Sequence, residues 1–410
     1  MHSSFFRKGR LDAYAEGTAF GIYIHVPFCV RRCRYCAFFS TTLRRIPDAF
    51  VRGLLNEAEL RRGPFDGRVL KSLYLGGGTP SRLDDASLAQ LIDGMRTRFG
   101  DAREVTLECN PEHVSAERAV FWKSLGVTRV SLGIQSFDGK MLQFLGRAHS
   151  ADDASRAVET IIAAGIDEVS IDLIYGGKLE CDPRDPLECW AESLSQAKQT
   201  GAKHVSCYAL TIEPHTPLAT LQARGIQVVH DDELVLQMMR MIPEGLSMRQ
   251  YEISNYAAED YFSAHNVSCW AGEPYLGLGP GAHSMWFEDA TCVRRADLGN
   301  VDKYLECVCA AVPRDPPVEF VERLSPQMHL AECLICAART RFAWDPQKIA
   351  QRLDADLAPY RRPLQKAVSR GLLQVTRSGD ENAVFRATAL GVQLNNCLDA
   401  LIFEGAPDAF

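Results

Sequence analysis

The 410-residue chain has no apolar run approaching the roughly 18 residues that a membrane-spanning helix requires, so no transmembrane segment is expected. It has no excess of positive charge either: 45 Lys and Arg stand against 52 Asp and Glu, a net charge of −7. A dedicated nucleic-acid binder would be basic, so nucleic acid is not an expected partner. Residues Met1 to Arg10 are mildly basic but lack the apolar stretch of a secretory signal. Cysteine is sparse by the standard of disulfide scaffolds, 14 residues where such chains exceed roughly 8–10%. Without an export signal, a reducing, cytoplasmic setting is expected, with the cysteines as thiols or metal ligands. Long repeats and low-complexity segments are missing as well. What remains is an ordinary folded composition, 46% apolar and 24% charged, and enough length for two or three units.

The first half alternates short β-branched runs with amphipathic stretches. Strands are predicted over Phe20–Val26, Leu70–Leu75, Val105–Cys109, Arg129–Ile134, Glu168–Leu173 and His204–Leu210. Helices are predicted between them, over Ala49–Arg61, Ala86–Phe99, Ala116–Leu125, Ala151–Ala164 and Pro186–Thr200. This alternation argues for an α/β fold with a parallel sheet. Six strand–helix repeats are too few for a closed eight-stranded barrel but suffice for a partial one, a (β/α)6 barrel whose chemistry gathers at the C-terminal strand ends. From Met248 to Val312 the pattern is irregular, and Pro313-Arg-Asp-Pro-Pro317 reads as a linker. Helical patterns then cover Pro326–Arg339, Pro346–Leu353 and Leu357–Arg370. Two short strands about Ser378-Gly379-Asp380 and a last helix, Leu390–Phe403, complete a winged-helix-like C-terminal domain. The expected division is 1–245 for the barrel, 246–317 for an extension and linker, and 318–410 for the C-terminal domain.

Three cysteines stand apart from the rest. Cys29, Cys33 and Cys36 form C-x3-C-x2-C directly after the first strand. Structural zinc sites usually want two separated pairs of ligands. Three thiolates without a fourth suit a 4Fe–4S cluster with one iron left open. Arg31, Arg32 and Arg34 would favour thiolate over thiol. A second motif, Gly76-Gly77-Gly78-Thr79-Pro80, closes the second strand, where successive glycines let backbone approach a ligand. Polar residues recur at later strand ends: Glu108, Gln135 followed by Arg147, and Asp172, with Ala209 near the end of strand six.

The triad, with an aromatic before its third cysteine, resembles the radical S-adenosylmethionine superfamily. That resemblance implies a 4Fe–4S cluster whose open iron is chelated by S-adenosylmethionine. Tyr23-Ile-His-Val-Pro-Phe-Cys29, Gly133-Ile-Gln-Ser-Phe137, Leu145-Gly-Arg-Ala-His-Ser150 and Ser170-Ile-Asp-Leu-Ile-Tyr-Gly176 resemble the group of oxygen-independent coproporphyrinogen oxidases and HemW proteins. Tyr208-Ala-Leu-Thr-Ile-Glu-Pro214, Tyr251-Glu-Ile-Ser-Asn255, Gly279-Pro-Gly-Ala-His-Ser284 and Arg386-Ala-Thr-Ala-Leu-Gly391 resemble HemW specifically. The oxidase branch carries a fourth cysteine two residues past the triad, where this chain has Phe38, and a longer N-terminal arm.

The HemW resemblance implies a heme-binding protein that passes heme to an acceptor protein, with a reductant such as flavodoxin or ferredoxin. It places the cluster on Cys29, Cys33 and Cys36. It places the S-adenosylmethionine contacts on Tyr23, Tyr35, Gly77, Gly78, Thr79, Glu108, Gln135, Arg147, Asp172 and Ala209. Two departures stand out: His265-Asn-Val-Ser-Cys269-Trp270 has a thiol where the family has Tyr, and Gly176–Pro183 replaces a Gly-Leu-Pro-Gly-Gln-Thr loop. His265, and after it His283, are candidate heme ligands, since imidazole is the commonest axial donor. Cys269 is a further thiolate candidate. Cys333-Leu-Ile-Cys336 has paired spacing but reads as core packing, and the basic group Arg361, Arg362, Lys366 and Arg370 reads as a solvated face. The alternatives to a heme chaperone are a radical enzyme, either a coproporphyrinogen dehydrogenase or a methyltransferase, and a protein whose cluster is purely structural.

Overall fold

The computed structural model describes residue 11 and residues 18–180, 182–377 and 383–407. Six strand–helix units come first, on bounds within a few residues of those expected. They are β1 (Ala19–Val26), α1 (Phe50–Arg61), β2 (Val69–Gly77), α2 (Asp85–Phe99), β3 (Glu104–Cys109) and α3 (Ala116–Ser124). Next come β4 (Arg129–Gln135), α4 (Gly139–Leu145), α5 (Ala151–Ala163), β5 (Glu168–Tyr175), α6 (Pro186–Gln199) and β6 (His204–Ala209). Neighbouring strands from β1 to β6 pair in parallel, so all six C-terminal ends lie on one edge. Local chemistry starts the helices: Asp84 caps α2 through the Ser87 amide, Ser150 and Asp153 form a reciprocal capping box on α5, and Asp185 caps α6 ahead of Pro186.

Strand alternation sorts the two faces. Ile22, Ile24, Leu73, Leu75, Leu107, Leu132, Ile171 and Val205 point outward beneath the helices, where Leu91, Met95, Trp122, Val158 and Leu194 complete a fully buried core. The inward residues are polar: Thr106, Glu108, Ser131, Ser170, Asp172 and Ser206 line the lumen. The partial (β/α)6 barrel is therefore built with an apolar outside and a hydrophilic inside.

Two helices, the short α7 (Pro217–Ala223) and the long α8 (Asp232–Leu246), precede the segment expected to be irregular. Pro243 sits in the last turn of α8, which stops at Ser247 in a left-handed conformation (φ 53°). The segment itself is largely structured. It contains β7 (Arg249–Gln250), β8 (Asn255–Ala257), α9 (Ala264–Trp270), β9 (Tyr275–Leu278), β10 (His283–Glu288), β11 (Thr291–Asp297), α10 (Val301–Val308) and β12 (Val318–Leu324). Strands β1 to β12 form one twelve-stranded sheet, ordered β12-β11-β10-β9-β1-β2-β3-β4-β5-β6-β8-β7. β9 pairs with β1 in parallel, and β10 to β12 follow antiparallel. Glycine hid this extension from a propensity reading. A Cβ on Gly277 would lie 1.9 Å from the carbonyl oxygen of His283, so only glycine fits that crossing. After the Pro313–Pro317 linker the chain returns to the sheet through β12 rather than entering a new unit, and it leaves at Ser325.

Beyond Ser325 lie α11 (Pro326–Ala338), α12 (Pro346–Leu353), α13 (Ala358–Ser369), the antiparallel pair β13 (Leu373–Arg377) and β14 (Val384–Ala387), then α14 (Ala389–Gln393) and α15 (Asn395–Phe403). Three helices followed by a hairpin are the expected winged-helix order, although the turn at Ser378-Gly379-Asp380 lies outside the described residues. Leu330, Leu334, Trp344, Tyr360 and Leu401 form a second core, and Tyr251, Phe262, Val267 and Ala271 from the preceding segment pack into it. Cys333 is buried in that core, as expected for packing, with its sulfur 3.4 Å from His329 Nε2. None of the described helices is long and apolar enough to cross a membrane.

Candidate functional site

The C-terminal edge of β1 to β6 opens into a cavity of about 660 Å³ that runs down into the lumen. Cys29, Cys33, Tyr35, Cys36, Gly77, Gly78, Thr79, Glu108, Gln135, Arg147, Asp172 and Ala209 all line it. Twelve residues from six strand ends thus converge on one space. Phe38 stands at its rim, 69% exposed.

The cysteine loop is tied down on both sides: the Cys29 amide donates to the Thr41 carbonyl at 2.9 Å, and the Arg34 amide to Leu145 at 3.2 Å. The three thiols are partly exposed and in no disulfide. Burial pushes the Cys29 and Cys36 thiols up, and the charge of their neighbours in the triad adds to it. The expected help from the arginines is smaller than this: Arg32 acts on Cys36, and Arg82 rather than a loop arginine acts on Cys29. Thiols held at higher pKa by mutual repulsion are relieved by a cationic cluster that takes all three as thiolates. Among the described residues no three His, Cys, Asp or Glu side chains are drawn together closely enough for a single metal ion. Three thiols on one loop are the donor set of a 4Fe–4S cluster that keeps one iron open.

The glycines of the second motif each have a separate reason. A Cβ on Gly76 would sit 2.8 Å from Tyr74 and 2.9 Å from Glu108; Gly77 has φ 107° and faces His25 at 2.5 Å. A Cβ on Gly78 would meet the backbone of Pro27 at 2.7 Å and of Phe28 at 2.8 Å. The space below Gly78 therefore belongs to the strand that carries the cysteines, not to a ligand. Gly78→Val is accordingly expected to displace the cysteine loop and lower iron content, read as iron per chain after anaerobic reconstitution. Full iron loading in that variant would show that the loop tolerates the shift.

Charge in the cavity is arranged around two buried carboxyls. Glu108 accepts from Tyr74 Oη at 2.8 Å and from the Gly77 amide at 3.0 Å. Burial and the nearby charge of Asp172 nonetheless push it up to about 7. Burial lifts Asp172 to about 6 against bonds from Ser206 and Ser131. Opposite them, Arg147 donates to Asn110 Oδ1 at 2.5 Å, to the Gly133 carbonyl at 2.6 Å and to the Cys33 sulfur at 3.3 Å. Its Nε is buried with no partner. Gln135 holds a left-handed backbone, φ 73°, a strain that residues other than glycine keep mostly at functional positions. Two acids that want a cation, and a guanidinium with a spare donor, face each other across the space.

Two expected residues are not part of this lining. Tyr23 stands on the inward face of β1, but its hydroxyl is bonded to His25 Nδ1 at 3.1 Å and its ring stacks on Tyr74 at 6.0 Å. His265, preferred as a heme ligand, is buried on α9 at the opposite end of the barrel. Its Nδ1 is 2.9 Å from Ser72 Oγ, its ring lies 4.9 Å from Tyr74, and desolvation lowers its pKa to about 4. The Glu104 carboxylate accepts from its amide and pins the start of α9 beneath the lumen. With one nitrogen taken and its own ring outside the cavity that Ser263 and Asn266 line, His265 is a floor residue; the sequence showed an imidazole in a motif but not its depth. Cys269 is held in the same helix, its thiol pushed up to about 12 by burial.

Sequence reasoning missed Asn110, which orients Arg147, and Tyr74, which holds Glu108. Both sit beside motif residues, so strand alternation carried the signal for Tyr74. It also missed Arg129, whose guanidinium is gripped by Glu104 and Glu168 while Nη1 is left open toward the lumen.

A cysteine loop after β1, a glycine loop after β2 and polar groups at each later strand end define a radical S-adenosylmethionine protein, and the profile described as "Radical SAM superfamily" matches residues 23–184. Similarity over about two thirds to three quarters of the chain narrows this. The chain is 39% identical over 276 residues to "Heme chaperone HemW" of Mycobacterium tuberculosis, covering 65% of this chain and 70% of that one. It is 36% identical over 312 residues to "Heme chaperone HemW" of Escherichia coli, covering 73% and 80%. The chain belongs to the HemW family. Among solved structures, "Coproporphyrinogen III oxidase (HemN) from Escherichia coli" matches with TM-score 0.75 at 20% identity, over 96% of this chain and 92% of that one. That likeness is one of fold, and it includes the region beyond the barrel.

Proposed function

We propose that this protein is a heme carrier that binds heme and hands it to an acceptor protein, and that it holds a 4Fe–4S cluster on Cys29, Cys33 and Cys36 together with S-adenosylmethionine. The observation that carries this reading is membership of a family whose relatives are named heme chaperones. Phe38 supports it: an exposed ring occupies the place where the oxidase branch has a further thiol. When bound, the cluster supplies an open iron and an electron to the sulfonium ligand. A reductant such as flavodoxin or ferredoxin is the expected source of that electron.

The cavity suits S-adenosylmethionine in charge. Its sulfonium and ammonium groups answer Glu108 and Asp172, and its carboxylate answers the spare donor of Arg147. Tyr35 supplies a ring for the adenine, and Gln135, Thr79 and Ala209 complete the lining. Both carboxyls are raised, so Glu108 loses its charge as pH falls through about 7 and Asp172 as it falls through about 6. Cation binding lowers both pKa values and releases protons in that window. Affinity for S-adenosylmethionine is therefore expected to fall severalfold from about pH 7.5 to about pH 5.5, and Glu108→Gln to weaken it about tenfold and flatten that dependence. Titration calorimetry in two buffers of different ionisation enthalpy reads both; a pH-independent affinity would remove the carboxyls from the site.

The functional test uses one anaerobically reconstituted sample for two measurements. Hemin titration is expected to show stoichiometric binding, and coproporphyrinogen III with S-adenosylmethionine and reductant is expected to yield no protoporphyrinogen. Multiple turnovers of decarboxylation would replace this reading with the enzyme reading.

A further inference from the structure

The concave face of the sheet does not stop at the barrel. Tyr23 on β1 pairs with Gly277 on β9, and across β10, β11 and β12 the same face continues through His283, Ala296 and Phe320. Because β9 runs parallel to β1, the start of β10 lies on the edge that carries the cysteine loop. Phe39 of that loop packs against the positions of Gly281 and Gly299 and stacks on His25 at 6.2 Å, which clamps the loop beside the turn leading to His283. The adjacent Phe38 is left exposed at the same rim.

His283 differs from His265 in every respect that matters to a ligand. It is exposed, and its ring nitrogens meet no hydrogen-bond partner among the described residues. The edge of its ring meets Phe320 at 5.9 Å over the small, buried side chain of Ala296. Phe320 and Val318 are each 42% exposed on this end strand of the sheet. Arg31 and Arg32 are exposed on the cysteine loop and form no ion pair among the described residues. Below that rim, by contrast, the lumen is walled by the hydroxyls and carboxyls of Thr106, Glu108, Ser131, Ser170, Asp172 and Ser206.

We infer that His283 is the axial ligand of the carried heme, whose ring lies on the shelf between Phe320 and Phe38 with its propionates toward Arg31 and Arg32. The inference rests on the heme-carrier reading and assigns that reading a place. An imidazole nitrogen supplies the iron–ligand bond, aromatic edges supply the apolar contact, and free guanidiniums match the two carboxylates. An open shelf rather than a closed pocket leaves one heme face and edge accessible to an acceptor.

The test is hemin titration of the full-length wild type and of His283→Ala, His283→Tyr, Phe320→Glu and His265→Ala, followed by Soret position and ferric spin state. His283→Ala is expected to lose the imidazole-ligated spectrum and bind hemin about tenfold more weakly. His283→Tyr should retain hemin with a high-spin, phenolate-ligated spectrum, which a merely structural role would not produce. Phe320→Glu should weaken binding without changing the ligand signature, and His265→Ala should leave the signature intact. An unaltered Soret band in His283→Ala, or its loss in His265→Ala instead, overturns the assignment while leaving the carrier reading in place. Failure of the wild type to bind hemin overturns both.

Discussion

Replacing Cys29, Cys33 and Cys36 together by alanine removes the broad iron–sulfur absorption near about 400 nm and leaves the chain folded. The loss is complete because the three side chains removed are all the protein ligands that this cluster has. The fold survives because the triad lies on a loop, outside the apolar layer that Ile22, Leu75, Leu107, Leu132 and Ile171 form under the helices. The three thiols are partly exposed, so truncating them removes little buried contact. Iron analysis and far-ultraviolet circular dichroism on the same sample check both halves. A full four-iron complement in the triple variant would move the cluster elsewhere, with Cys333 and Cys336 the first place to look.

Arg61→Leu is expected to cost about 3–5 kcal/mol of folding free energy, the usual penalty for removing one partner from a buried ion cluster. Arg61 joins the first helix to the sheet extension. It donates to Glu57 at 2.8 Å, Asp297 at 3.0 Å, the Gly277 carbonyl at 3.0 Å and Ser284 Oγ at 2.8 Å. Glu57 also accepts from the Gly279 amide and from Tyr304 Oη. Without the guanidinium Glu57 is left with no cation while Asp297 keeps only Arg295, and burial and Glu57 already raise Asp297 with Arg61 in place. Groups whose folded pKa is raised are penalised most when ionised, so the deficit is largest above neutrality and shrinks as pH falls toward the ordinary carboxylate range. Urea unfolding at about pH 8 and about pH 5.5 reads this. A deficit below about 1 kcal/mol at the higher pH would mean that water reaches the cluster.

The barrel was legible because period-2 and period-3.6 patterns alternate cleanly there. Arg129–Gln135 and Glu168–Tyr175 alternate Val, Leu and Ile with polar or small residues, and their ends came out within a couple of residues. The lining of the cavity was legible for a related reason, since a parallel barrel sends successive strand ends to one edge, and the motif residues Glu108, Gln135 and Asp172 lay at those ends. What failed to show was whatever depends on packing between distant segments. β9 to β11 carry glycines demanded by close backbone crossings, which read as loop in a single sequence. β12 follows a proline-rich stretch and looked like the start of a new unit, but its partner is β11. His265 and His283 look alike in sequence, each beside a conserved-looking motif; only the fold buries one under the barrel and leaves the other at its rim.

α9 has only seven residues, yet it belongs to two interiors at once. His265 and the helix start are fastened to Glu104 and Ser72 of the barrel, while Val267 and Ala271 are packed among Leu330, Leu334 and Trp344 of the C-terminal helices. It works as a rivet through two plates. A chain cut back to the barrel alone would lose the inner head of that rivet, and the lumen would be unplugged from below although no lumen residue had been touched. Movement of the C-terminal helices against the sheet would likewise be felt first at the barrel floor, the end farthest from the cysteines.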